Sequence, residues 1–545
     1  MNRASADRLV QAETLFALFN PKAWPAEEFY QAWRNVLLYS EHTWGAHNSI
    51  SQPDHPFVKS QWAIKRQFAL DADAQSRALL AKANEARGRA AFLSPAGGEG
   101  QGEGSFDVIN TTSLNLIDTL VVVPPELARA GNVVRAGSAT GPALPAQRLS
   151  SGELIFRTSL EPFGLRRFVL SAGPAPERAA GPSAKAEGAT LTTGDSAAGP
   201  GLTVRLDAQT GGIASLRVGD RELVDPKAPT GLNDYFYLPG SDLKKLQRNG
   251  PVKITVKEQG PLVASLLVES DAPGCRKLTR EYRLHALRNY LEIINTVDKL
   301  PVRAKEGVHF GFGFNVPGGV VRMDVPWAEV RPEQDQLPGA CRNWFTVQRY
   351  VDISASAFGV TWLTPDAPLV EIGGITANLI GSMSLRDWIT KLEPSTTIYS
   401  WAMNNHWHTN YRAEQEGPTV FRYIIWPHGG GGSHQAAAFG LEYSQPPVVA
   451  PARGVTPARP RLAGLRTQGA GTIIATAVKP AEDGQALIVR LFNPTDKDSR
   501  ALLEWNEPKP RAIWLSDGRE QPLQPAPSPV VVPAWSLVTV RVDLP

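Results

Sequence analysis

Cysteine is nearly absent: Cys275 and Cys341 are the only two in 545 residues. That is no disulfide framework, so the fold has to rest on packing. Long apolar runs are missing too, and none approaches the ~18 residues of a membrane span. The opening MNRASADRLVQAETLF lacks the basic-then-apolar order of a secretion signal, so the chain reads as soluble, and as cytoplasmic if it is complete. Neither charge dominates. With 56 Lys+Arg against 53 Asp+Glu the formal charge is +3, and without a basic stripe there is no electrostatic case for nucleic acid or an anionic membrane. Walker-type phosphate loops, dinucleotide fingerprints and a G-x-S-x-G elbow are absent in the required context. HGGGGSH at 428–434 reads as a flexible loop between β segments.

What is abundant is the turn former. The chain has 48 Gly and 45 Pro, about one residue in six, which is above average yet below the level of disorder. Many turns mean a β-rich chain, and at ~100–200 residues per domain the length predicts roughly three or four domains. The first 90 residues form the exception. Leu9, Ala12, Leu15, Phe16 and Phe19 share one face of a helix over about 5–19. A second helix opens at Pro25 with Glu27 and Glu28 in its first turn and a stripe of Phe29, Trp33, Val36 and Leu37. A long third one, about 57–86, buries Ile64, Phe68, Ala72 and Leu79. Together they predict a three-helix bundle over 1–90. The chain starts almost inside the first helix and so reads as a piece of a longer protein.

After the Gly-rich linker SPAGGEGQGEGSF every long periodic segment is strand-like. Short alternating runs predict a small β-sandwich over 105–172, and 173–200 reads as a linker or long exposed loop. LTVRLDAQTGGIASLRVGDRELVD is a meander punctuated by Gly-Gly and Gly-Asp turns. Strand patterns then continue without helical breaks, predicting a two-sheet β-supersandwich, of galactose-mutarotase-like type, over 200–445. A Pro-rich stretch separates a last β module over 463–545. The expected fold is mainly β with an N-terminal three-helix bundle, a β-sandwich, a β-supersandwich and a terminal β module.

Two stretches concentrate polar and aromatic residues. Glu41-His42-Thr43-Trp44-Gly45-Ala46-His47, with His55 beyond, follows the second helix. Three histidines so close can hold a metal, although their spacing matches no closed zinc site, and a helix end with polar caps and a packed Trp is the plainer reading. SWAMNNHWHTNYRAEQEG, 400–417, sets His406 and His408 on one face of a strand and Trp407 on the other, among Asn405, Tyr411 and Arg412. Amides, forked donors and aromatic plates together suit a sugar, whose hydroxyls need bidentate polar partners and whose ring face needs an aromatic. A weaker candidate is GLNDYFY, with Asp234 and Tyr235. Lys244-Lys245 and Glu414/Glu416 read as solvated surface.

The order of elements resembles the C-terminal two-thirds of glycoside hydrolase family 38, the zinc-dependent retaining α-mannosidases. LLYSEHTWGA, SWAMNNHWHTNYRAEQEG, FRYIIWPH, LTVRLDAQTGGIASLRVGDRELVD and LIVRLFNPT carry the resemblance. It implies one zinc ion, for which His42 matches the ligand supplied by the bundle. It also implies an N-terminal barrel of roughly 250–300 residues, a size typical of such barrels, that carries the other ligands, the nucleophile and the acid/base. No catalytic residue is therefore expected in this chain, and the chain alone is expected to be inactive. Glu41, Trp44, Asp234, Tyr235, Asn405, His406, His408, Tyr411 and Arg412 are the expected substrate contacts. Thr43 stands where the family commonly has Asp. With the barrel supplied, the implied reaction is double displacement on an α-mannoside. The expected partners are a carbohydrate and that barrel, as a missing segment or a separate subunit; homo-oligomerisation is left open. Two alternatives are a non-catalytic carbohydrate-binding β protein and a polysaccharide lyase, whose helical toroid 90 residues cannot build.

Overall fold

A computed structural model describes residues 1–41, 47–89, 104–173, 182–196, 199–376, 388–406, 411–430, 433–454, 459–469 and 471–545. The chain divides into two compact units: 1–39 with 68–179 and 433–545, and 40–67 with 180–432.

The first unit is built around helices α1 (Asn2–Phe19), α2 (Ala26–Glu41) and α3 (Pro56–Arg89). In α3 a buried stripe runs through Ala69, Ala72, Ser76, Leu79, Ala83 and Ala86, an alternation of three and four that keeps one narrow face inward, and Val58 and Arg87 are buried as well. Ile64, one turn before that stripe, is 56% exposed, and Leu37 is 64% exposed. Both were expected inside. In α2 the buried line runs instead through Phe29, Ala32, Asn35 and Val36, and Leu37 lies one residue, about 100°, off it. One apolar core joins these helices to the strands of 462–543, with Leu15, Phe16, Phe29, Leu79, Val478, Val489 and Val540 all in it. Five- and three-stranded antiparallel sheets, from 105–171 with Val448–Pro451 added at one edge, enclose a neighbouring core around Phe106, Phe156 and Phe168.

A fourth helix, α4 (Ser433–Ser444), lies in this unit, where only strands were expected. The run HQAAAFGLEY has helix formers at its centre and buries Ala436, Phe439 and Leu441. The glycines of HGGGGSH disguise it, so that stretch leads into a helix rather than linking β segments.

The second unit is a two-sheet sandwich of ten and nine strands. The meander appears as expected, with strands Leu202–Leu206 and Ile213–Val218 and a hairpin at Gly219. Part of the expected linker is strand as well: Ala184–Glu187 and Thr190–Thr193 pair as a hairpin on the edge of the larger sheet. Four-residue strands of Ala and Thr carry too little apolar contrast to stand out in a sequence. The centre of the sandwich is the strand Glu306–Gly313. Its Val308, Phe310 and Phe312 point into the core between the sheets, where each buried Phe contributes roughly 1.5–3 kcal/mol. Phe312 meets Trp362 and Tyr423 at ring distances of 5.1 and 5.2 Å. The alternate positions face outward, and at Gly311 a Cβ would lie 2.5 Å from Thr230 Oγ1 and 2.9 Å from Phe236, so only glycine fits. No helix among the described residues is long and apolar enough to cross a membrane.

Candidate functional site

Strand Thr397–Asn404 pairs antiparallel with Glu306–Gly313 and carries the candidate sugar stretch to the end of the larger sheet. A bulge between Val308 and His309 brings His309 opposite Trp401, and their rings stack at 5.7 Å and 8°. His309 Nε2 lies 3.0 Å from the Glu371 carboxylate, both side chains being fully buried.

The strand ends at Asn404, two residues short of His406, so His406 is not one of its residues. His408 and Trp407 lie outside the described residues. His406 turns inward, 1% exposed, with its ring 5.9 Å from that of Trp401. Burial, then the neighbouring His309 and Lys305, pushes its pKa down to about 3, so it is neutral at any working pH. Asn405, which also lines the cavity described below, spends its amide on the backbone. Its Nδ2 donates to the carbonyls of Val302, Ala304 and Ala413 at 2.8–3.1 Å, and its backbone N–H donates to Glu306 O. One buried amide thus fastens three loop segments together.

Asp234 and Tyr235, on strand Leu232–Pro239, are structural too. Asp234 accepts from Thr230 Oγ1, the Gly231 N–H and Arg248 Nη1. Tyr235 is 1% exposed, its hydroxyl donating to Pro273 O at 2.6 Å beside Cys275 Sγ. Its phenol is held far above the ordinary range, mainly by burial. A core ring with a satisfied hydroxyl has nothing to offer a sugar.

Tyr411 and Arg412 are half-buried at the rim. At this rim the two sequence clusters, some 360 residues apart, meet within the second unit. Ser49 Oγ donates to Tyr411 O at 2.6 Å. The Arg412 guanidinium lies 5.4 Å from the Trp62 ring and pairs with Glu416 at 2.9 Å. Arg303, unremarkable in the sequence, joins both sides: it reaches Asp54 at 2.6 and 3.1 Å and Glu414 at 3.0 and 3.1 Å. Hydrogen bonds from Arg303 first, then Lys59, hold the Asp54 carboxyl down to about 2. Glu414 is therefore a bridge, not the free surface charge expected.

His42, Thr43 and Trp44 lie outside the described residues. Glu41 ends α2, exposed. His55 caps α3, its Nδ1 accepting from the Phe57 N–H at 3.2 Å, which accounts for one of the three clustered histidines without a metal. Among the described residues no group of three or more His, Cys, Asp or Glu could hold a metal ion.

Next to the Tyr411–Arg412 rim is a cavity of ≈ 200 Å³. Its polar wall includes Lys299, Glu306, Asn404 and Glu414. Lys299 and Glu306 form an ion pair at 2.5 Å with side chains 1% and 6% exposed, and the Tyr237 hydroxyl donates to the other Glu306 oxygen at 2.7 Å. Sequence reading missed this pair. In DKLPVRAKEG it looks like an ordinary charged loop, but that loop crosses from one sheet to the other and turns both ends inward.

Residues 472–542 match the family model described as the glycosyl hydrolases family 38 C-terminal beta sandwich domain. Among solved structures, an alpha-mannosidase from Enterococcus faecalis V583 superposes with a TM-score of 0.70 at 16% identity, covering 99% of this chain and 66% of that one. A protein in glycosyl hydrolase family 38 from Enterococcus faecalis gives 0.66 at 16% identity, covering 99% and 70%. The chain thus spans about two thirds of the length of these solved proteins. At this identity the likeness speaks for the fold. No curated protein matches at the level of sequence. Residues 472–542 thus match a family 38 C-terminal beta sandwich domain, and nearly the whole chain shares the fold of a solved family 38 protein.

Proposed function

We propose that the chain is the C-terminal part of a retaining α-mannosidase-like glycoside hydrolase acting on α-mannosides or mannose-containing glycans. The observation that carries this reading is the junction of the α2–α3 loop with the 411–416 rim through Arg303, Ser49 and Arg412. It joins Ser49, Asp54 and Trp62 to the stretch whose residue types suit a sugar. In this reading Tyr411 and Arg412 border the sugar cleft.

The described residues do not by themselves assemble a metal centre. A single imidazole from His42 requires further ligands, and a double displacement requires two carboxylates flanking the scissile bond. Both are assigned to a barrel outside this chain, and the chain alone is proposed to be inactive. Of the residues first expected to touch substrate, His406, Asp234 and Tyr235 are buried in the second unit, and Asn405 spends its amide on backbone carbonyls.

The test is hydrolysis of an aryl α-mannoside with a family barrel supplied in cis or in trans. Activity is expected only with the barrel, and His42→Ala should lower it roughly 100-fold or more, as loss of a metal ligand does. Full activity in that variant would overturn the ligand assignment. A lyase would release an unsaturated, ultraviolet-absorbing product, but burial of Asn405 and His406 speaks against that chemistry.

A further inference from the structure

We propose that the ≈ 200 Å³ cavity floored by Lys299 and Glu306 is a binding site for a small, neutral, hydroxyl-rich molecule such as a single pyranose, working without metal or barrel. It shares the Tyr411–Arg412 rim with the mannosidase reading but not its zinc.

Size comes first. At ~30 Å³ per water, the space holds six or seven waters, so it suits a bound unit of about a dozen heavy atoms.

The wall chemistry narrows the class. Lys299 gives one proton to Glu306 and one to Leu300 O, leaving its third N–H. Glu306 accepts from Lys299 and from Tyr237, and each carboxylate oxygen keeps a further lone pair. Asn404 adds an amide whose oxygen already accepts the His406 N–H at 2.9 Å, and Arg412 and Glu414 stand at the mouth. Donors and acceptors are thus offered side by side, which a vicinal diol can meet by accepting from one and donating to the other.

Charge decides against the alternatives. Two cationic and two anionic side chains line the cavity. An anion would face Glu306 and Glu414, and a cation would face Lys299 and Arg412. A neutral ligand meets neither penalty. The buried pair itself supports a site: an isolated buried ion pair is commonly no better for stability than apolar residues of the same volume. This one borders open space, where its unused hydrogen-bonding capacity has a partner to take. Tyr411 supplies the aromatic surface at the edge.

Calorimetric titration of the full chain in EDTA tests this, with methyl α-D-mannopyranoside and glycerol as neutral probes and D-glucuronate and D-glucosamine as charged ones. Saturable binding of a neutral probe is expected, at least about tenfold tighter than either charged probe. Asn404→Ala and Arg412→Ala, checked for folding by circular dichroism, should weaken it about tenfold or more, and Glu306→Gln should do the same. No saturable binding of either neutral probe, equal binding of the charged ones, or full binding in all three variants would overturn the site. Because EDTA is present and no barrel is needed, failure of this binding leaves the mannosidase reading standing, and failure of mannoside hydrolysis leaves this site standing.

Discussion

The two units bury charge in opposite ways. In the first, Asp107 lies between Arg87 and Arg167, at 3.0 and 2.8 Å, with all three side chains nearly inaccessible. Arg167 also donates to the carbonyls of Arg453 and Gly454, so the cluster stitches a strand, a helix and a distant loop together. In the second, Lys299 and Glu306 are as deeply placed, yet one side of the pair borders a cavity. The first arrangement ties a helix, strands and a loop to one carboxylate and reads as structural. The second pair lines a cavity, and it is this open space beside it that marks a site.

The contrast breaks most visibly at Asp107. Asp107→Ala leaves two arginines buried without a counter-charge and should cost about 3–5 kcal/mol in denaturant unfolding. A loss below about 1 kcal/mol would mean the cluster is not the staple described. Glu13 provides a second, pH-dependent handle in the same unit. Its buried carboxyl accepts from Trp33 Nε1 at 2.8 Å, and burial, opposed by that bond and by Lys479, raises its pKa from 4.5 to about 7. The folded state therefore holds a proton that the unfolded chain has released, and the stability this provides is full below pH 4.5 and lost as pH rises through about 7. By linkage the loss is about 3 kcal/mol by about pH 8. Glu13→Gln should flatten that slope, and an unchanged pH profile would contradict it.

Smaller effects test the second unit. Replacing Lys299 and Glu306 together by Met and Leu should change stability by no more than about 1–2 kcal/mol while abolishing ligand binding. A collapse in stability would make the pair a staple like Asp107. Arg303→Ala should leave the melting temperature nearly unchanged, since Arg303 is 43% and Asp54 64% exposed and solvent screens their pairing. It should instead speed hydrogen exchange in 47–62 and at 411–414. Equal exchange in the variant would show that Arg303 does not hold the loop to the rim.

Much of the fold is legible in the sequence. The helical stripe of α1, the Gly-Gly and Gly-Asp turns of the meander and the alternation in HFGFGFNV are local signals, and local backbone and side-chain geometry reads them directly. What failed was non-local or low in contrast. Leu37 and Ile64 are apolar and helical but lie beyond the buried stripe, and the small residues of 184–193 and the glycines before α4 hid regular structure.

For the site, residue chemistry alone picked out the loop after α2 and the 400–417 stretch as unusual. The fold decided that Ser49, Asp54 and Trp62 meet Tyr411, Glu414 and Arg412, the Asp54–Glu414 link running through Arg303. It also turned Asn405, His406, Asp234 and Tyr235 inward, and it paired Lys299 with Glu306 at a cavity. Composition and periodicity report what a residue can do and which way its own helix or strand faces. Which distant segment lies opposite depends on how sheets cross and where a strand stops, as at Asn404, and only tertiary packing settles that.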